Sequence, residues 1–219
     1  MKVLLLAGMS AAAALLMSGC TSVASSSYET LRLAISGPES IITADYVNSL
    51  DRPALSARLK QSEALLVLAA RNDGVAEWHG RSQALVTQNG RLIQTAGLPD
   101  EADIIAPLAV ADPFLQDLRA LPEDVEVTRL VDFPGRYLTS VPQHARYRKG
   151  PVETLEIMGE QRALQRMDEI IRMPSISFRA TNHYWFDPDT GNVLVSAQHL
   201  APGFPPVHLV ELTQSVGQP

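Results

Sequence analysis

Residues 176–200, ISFRATNHYWFDPDTGNVLVSAQHL, set the fold. From Ile176 to Phe186 the side chains alternate. Ile176, Phe178, Ala180 and Asn182 oppose Ser177, Arg179, Thr181 and His183, the period-2 pattern of an extended strand. That period puts His183 and Trp185 on one face, and Tyr184 and Phe186 on the other. Asp187-Pro188-Asp189-Thr190-Gly191-Asn192 has turn composition and reverses the chain, so Val193 to Leu200 runs back as the second arm of a hairpin.

The same grammar extends in both directions. Downstream, Pro202, Pro205 and Pro206 interrupt the chain, and Val207 to Leu212 reads as a last strand. Upstream, Val125 to Phe133, Leu138 to Arg148 and Val152 to Met158 read as strands, with Lys149-Gly150-Pro151 as a turn. Arg162 to Met173 fits two descriptions. Leu164, Met167 and Ile171 make a helical stripe of good helix formers, yet the segment sits among strands. In the N-terminal half, Ala64 to Ala70, Val75 to His79, Ala84 to Gln88 and Arg91 to Ala96 form a second meander. Its turns are Asn72-Asp73-Gly74 and Asn89-Gly90, whose residues tolerate positive φ. Leu98 to Pro122, broken by Pro99, Pro107, Pro113 and Pro122, reads as a crossing, with Pro113 early in a helical turn. Thr43 is the N-cap candidate for a short helix over 44–50, and Tyr28 to Ile35 has helical spacing before Gly37-Pro38. The expected class is mainly β. Antiparallel meander sheets form a sandwich or a partly open barrel, with one or two short N-terminal helices.

The first 20 residues speak of location. Lys2 precedes the apolar run Val3 to Leu16, which is short for a membrane span and reads as a secretion signal. Ser18-Gly19-Cys20 fits the end of a lipoprotein box, where the cysteine is acylated; Met17 stands where Leu is usual. The competing reading is an ordinary signal with a chance cysteine. Cys20 is the single cysteine of the chain, so it has no internal disulfide partner. Stable anchoring needs more than one acyl chain, which a mature lipoprotein cysteine carries. Thr21 rather than Asp after the cysteine points to the outer membrane. The expected plan is signal peptide 1–19, lipidated cysteine and tether 20–27, and one β-rich periplasmic domain over 28–214. Two lobes meeting near 98–122 are the alternative, and 215–219 is a loose end. With 18 basic against 24 acidic residues the net charge is −6, and no Lys/Arg run exists, which disfavours a nucleic-acid partner.

Two blocks carry a resemblance. Asn182-His183-Tyr184-Trp185-Phe186-Asp187, then Gly191-Asn192-Val193, Ser196, Gln198 to Pro202 and Pro205-Pro206 resemble the C-terminal pattern of the YjbF/GfcB outer-membrane lipoproteins. Ala64 to Gly97, with Trp78, Leu85-Val86-Thr87, Asn89-Gly90-Arg91 and Thr95-Ala96-Gly97, resembles an earlier block of the same family. The resemblance implies a mostly antiparallel β domain with no established enzyme activity, serving exopolysaccharide or capsule production. It further implies a periplasmic and an outer-membrane β-barrel partner. It also tips Arg162 to Met173 toward strand.

Candidate chemistry is sparse. Asp187, Asp189 and Gly191 match part of a calcium loop but lack its third ligand and final glutamate, so a turn is the better description. His79, His144, His183, His199 and His208 have no metal-helix spacing, although His199 and His208 could meet across strands. No nucleophile elbow or cofactor loop is present, so no catalytic residue, metal or cofactor is assigned. Trp78, Tyr184 and Trp185 are the candidate glycan- or partner-binding aromatics, weighed against ordinary core packing.

The function expected is that of a non-enzymatic accessory lipoprotein of exopolysaccharide secretion. It would be anchored in outer-membrane lipid through Cys20 and would contact barrel and periplasmic export proteins, with polysaccharide as a further candidate ligand. A polysaccharide-binding or polysaccharide-modifying protein, which would need convergent carboxylates if it is an enzyme, and a lipid or lipoprotein carrier with an apolar cavity are the alternatives. Cys20→Ser is expected to leave the protein unprocessed or released. An unmodified Cys20 in the mass spectrum of the native protein would refute the anchor.

Overall fold

The computed structural model describes residues 42–99, 102–122 and 124–212. The signal peptide, Cys20, the 20–27 tether, the helix expected over 28–35 and the terminal residues 215–219 lie outside them. The described residues form eleven antiparallel strands in one sheet. In chain order these are β1 (Ala54–Leu59), β2 (Ser62–Asn72), β3 (Val75–His79), β4 (Ala84–Gln88), β5 (Arg91–Ala96), β6 (Glu126–Phe133), β7 (Leu138–Ile157), β8 (Glu160–Met173), β9 (Phe178–Phe186), β10 (Val193–Gln198) and β11 (Val207–Glu211). Their order across the sheet is β5-β4-β3-β2-β1-β11-β10-β9-β8-β7-β6. Each meander is local, and the pairing of β1 with β11 fuses the two into one surface. Helix α1 (Ala44–Asn48) precedes them, with Thr43 Oγ1 accepting from Tyr46 N as its cap.

Local chemistry explains the hairpins. Asp73 and Gly74, and Asn89 and Gly90, have φ of 46°, 78°, 48° and 87°, so each pair supplies the two positive angles a tight twisted hairpin requires. Gly90 is also a close approach, since a Cβ there would sit 2.4 Å from Val193 Cβ. Bulges at Leu68/Ala70, Val86/Thr87, Val131/Phe133, Lys149/Val152 and Val193/Val195 add twist and curl the sheet into an open barrel.

Two sequence readings change and one choice is settled. Lys149-Gly150-Pro151 is no turn. It is a bulge inside the 20-residue β7, where the missing proline N–H takes nothing from the ladder. Extension begins at Phe178 rather than Ile176, because Pro174–Ile176 form a 3₁₀ turn closed by Ser177 at φ 52°. The segment from Arg162 to Met173 is strand β8, as the resemblance implied: Met167, Glu169, Ile171 and Met173 point inward at period 2, overriding helix propensity.

The concave face holds two apolar clusters. Trp78, Leu66, Leu92 and Phe133 belong to one; Phe114, Tyr147, Met167 and Tyr184 belong to the other. The crossing segment packs into this face through Phe114, Leu118 and Leu121 and stitches the open seam between β5 and β6. Ile105 bridges both edges: Thr95 N donates to Ile104 O (3.0 Å), Ala106 N to Ile93 O (2.7 Å), and Ile105 and Asp132 exchange bonds of 3.0 and 2.8 Å. On the convex side the β7–β8 hairpin outruns β9, which pairs β8 over Gln165–Met173. Past the bulge, its Leu155, Ile157 and Leu164 are buried, and the tip borders α1 at a depression lined by Ala44, Asn48, Ile157, Met158 and Leu194.

Ile105→Pro removes the N–H that donates to Asp132 while leaving the rest of the crossing intact. We expect a loss of about 1–3 kcal/mol in denaturant unfolding, with faster hydrogen exchange along β6. Unchanged stability would show that the seam is held by packing alone.

Candidate functional site

Alternation along β6–β10 places polar groups in the middle of the concave face. Arg129 lies between Val127 and Val131, Glu169 between Met167 and Ile171, and Asn182 between Ala180 and Tyr184. Glu169 is fully buried. Its Oε1 takes Arg129 Nη1 at 2.8 Å, Tyr147 Oη at 3.0 Å and Arg91 Nε at 3.4 Å; its Oε2 takes Asn182 Nδ2 and Tyr184 Oη, both at 2.7 Å. Arg129 also donates to Tyr147 Oη, and its Nη2 lies 2.9 Å from Asp112 Oδ2. Arg91 reaches Gln143 Oε1 at 3.1 Å. Gln198 Oε1 accepts from Leu92 N and Tyr184 Oη, and its Nε2 donates to Gly90 O and Ser196 Oγ.

The charges balance, two arginines against two carboxylates. Burial opposes ionisation of Glu169, but Arg91 and Arg129, with the bonds from Asn182 and Tyr184, hold its carboxyl far below the usual range. Burial prevails at Asp112 and raises it despite Arg129 and Arg91. Burial, with the Glu169 charge, pushes the Tyr147 and Tyr184 hydroxyls well up, so both stay protonated donors. The strongly perturbed carboxylate is therefore saturated by partners and walled off from solvent, the arrangement of a structural clamp.

The three candidate aromatics are not a platform, because all are buried. Trp78 (1% exposed) donates from Nε1 to Thr87 Oγ1 at 3.0 Å, with the Arg71 guanidinium 5.6 Å from its ring. Tyr184 (0%) belongs to the clamp. Trp185 (3%) is on the convex face with His183, as the period requires, yet the bulged β7–β8 extension covers it: its Nε1 donates to Glu153 Oε2 at 2.8 Å, and Glu153 pairs with Arg166 at 2.6 Å. The Asp187–Asn192 loop spends its carboxylate on itself, Asp187 Oδ1 accepting from Asp189 N and Thr190 N. His183 binds Asp168 at 2.7 Å; His208 pairs across the strands with Ala197 rather than with His199, and burial lowers His199 and drives His208 down to about 4. Among the described residues no group of three His, Cys, Asp or Glu is placed to hold a metal ion.

One cleft of about 580 Å³ opens among the turns at the Asn89-Gly90 end, with Asn89, Gln116, Asn192 and the pairs Arg71–Glu211 and Arg119–Asp117 on its walls. Its size suits a small ligand, but its arginines are already matched by acids.

A family model described as group 4 capsule polysaccharide lipoprotein gfcB, YjbF matches residues 28–212. The chain belongs to the YjbF/GfcB family. It is 26% identical over 203 residues to the uncharacterized lipoprotein GfcB of Escherichia coli K12, covering 91% of this chain and 94% of that one. The crystal structure of the hypothetical lipoprotein YmcC from Escherichia coli K12 superposes with a TM-score of 0.70 at 22% identity, over 85% of this chain and 95% of that one, which shows a shared fold. The family resemblance read from the two sequence blocks is thereby shown, as is the antiparallel β class. Among the described residues no helix is long and apolar enough to cross a membrane.

Glu169→Gln keeps the shape but leaves Arg91 and Arg129 facing only Asp112. A cost of about 3–5 kcal/mol at neutral pH is expected in chemical unfolding. The pH sign follows from the depressed carboxyl. Its stabilisation is present above the ordinary value of 4.5 and is lost as pH falls below it toward the folded value. Asp112, shifted upward, acts in the opposite sense and only blunts this. Thermal melts from pH 7 to 3 should fall steeply below about pH 4.5 for the native chain and more gently for Glu169→Gln.

Proposed function

We propose that this lipoprotein is a non-enzymatic accessory factor of capsule or exopolysaccharide secretion, held at the periplasmic face of the outer membrane and acting through contacts with other export proteins. The observation that carries the reading is the family match across residues 28–212 to group 4 capsule polysaccharide lipoproteins. Thr21 after Cys20 supports the outer membrane as the destination. The clamp supports binding over catalysis, because the carboxylate with the strongest perturbation is consumed in cross-linking strands. Among the described residues two buried apolar clusters occupy the concave face, which supports a packed interior over the apolar chamber a carrier needs. The tether Thr21 to Ser27 reaches about 25 Å at full extension, so the domain meets only partners close to the membrane surface.

Deletion of the gene should reduce exported polymer, and Cys20→Ser should do nearly the same while the domain folds. The native protein should co-purify with an outer-membrane barrel or its periplasmic neighbour. A well-folded, correctly anchored variant of one exposed Asp or Glu that abolishes polymer while partner binding persists would move the assignment to an enzyme.

A further inference from the structure

The convex face of β6–β9 carries charge of a different kind from the interior. Direct pairings align Thr128, His144, Arg172 and Arg179 in one row across four strands. Arg172 and Arg179 are exposed and stand directly opposite each other, where like charges destabilise a sheet. Neither side chain has a hydrogen bond or acidic partner among the described residues, whereas Arg146 and Arg148 in the adjoining rows are tied to Asp124 at 3.1 and 3.2 Å. His144 is held in place by Thr128 Oγ1 at 3.0 Å. The row runs into a groove of about 420 Å³ whose walls include His144, Arg146, Arg148, Arg172 and one acid, Glu126, which Arg146 offsets at 3.7 Å; Ile170 is an apolar patch there, and Arg179 stands just outside on the neighbouring strand. In a chain of net charge −6, an unmatched arginine pair beside a groove is a local exception that folding does not explain.

We propose that this groove binds a segment of acidic polysaccharide. Arg172 and Arg179 would take the sugar carboxylates, and Ile170 with the arginine stems would lie under the ring faces. The proposal rests on the capsule role argued above and names the ligand class. Guanidinium groups bind carboxylates as paired donors, and two of them one strand apart offer successive sites along a chain. A row of charge running across four strands beside one apolar side chain suits an extended polymer, and a membrane surface is the occupant the test must exclude. The turn-end cleft is the weaker glycan candidate because its arginines are already paired with acids.

The test uses the full lipidated protein in neutral detergent micelles with fluorescent decagalacturonate as probe and dextran of the same length as neutral control. Decagalacturonate should bind with an affinity that falls as salt rises, and dextran should not bind. Arg172→Gln and Arg179→Gln should each weaken binding by about tenfold. The lysine variants should retain part of it, and Arg162→Gln in the cleft should leave it unchanged. Because like charges are relieved, the two glutamine variants should melt at or above the native temperature, so weaker binding could not be put down to misfolding. Equal binding by the glutamine variants, or equal binding of dextran, overturns the proposal. So does slowed exchange of β6–β9 amides on doping the micelles with phosphatidylglycerol without any glycan binding, which would assign the face to the membrane. A gene deletion that still abolishes export alongside such a result would leave the capsule role standing and remove only the groove.

Discussion

Glu169 is the point on which the two free edges of the sheet converge. β5 and β6 lie at opposite ends of the strand order, and between them the crossing segment supplies a single-residue bridge at Ile105. Arg91 from β5 and Arg129 from β6 nonetheless share one carboxylate oxygen on β8, with Tyr147, Asn182 and Tyr184 filling its remaining acceptor sites. A curled sheet that cannot hydrogen-bond itself shut is thus fastened across its interior. Such a clamp is not a large net source of stability, because two arginines and two carboxylates must all lose water. What it adds is specificity. Any other curvature or register would strand a buried charge, and that cost is far greater than a packing fault.

The parts of this design that are local were legible in the residues. Asp73-Gly74 and Asn89-Gly90 declare their hairpins through backbone angles that few other pairs adopt, and the alternation of β9 is unbroken. The parts that depend on distant strands were not. β1, ALSARL, has no clean period, and only its place between β2 and β11 makes it a strand. Gly150-Pro151 has turn chemistry, yet a bulge admits the same pair. The closure at Ile105 lies in a proline-rich segment with no pattern of its own. The clamp left one signal. Once β8 is read at period 2, Glu169 falls on the same side as Met167, Ile171 and Met173, and Arg129 and Asn182 likewise interrupt apolar faces. A charge on an apolar face asks for a buried partner, but the sequence does not say which strand brings it.

The aromatics illustrate the same limit from the other direction. Trp185 alternates correctly onto the convex face, where an exposed indole could serve as a sugar platform. What covers it are Arg166 and Glu153 of the long β7–β8 hairpin, the latter brought into reach past a bulge that local composition disguises as a turn. Facing direction is a property of one strand; burial is a property of whatever else arrives.

The two sides of β6–β9 therefore do opposite work with the same residue type. On the inside Arg129, joined by Arg91 from β5, meets Asp112 and Glu169, and charge is cancelled within the fold. On the outside Arg172 and Arg179 face each other with no acidic partner among the described residues. Since side chains alternate strictly, a slip of one residue in β8 would exchange the two sets, exposing Glu169 and Ile171 while turning Arg172 into the core. The register that the inner charges enforce is thus the same register that keeps the outer charges presented to solvent. Fold and recognition are coupled through the pleat: the interior clamp closes the sheet, and by fixing alternation it also determines which arginines remain available for a ligand.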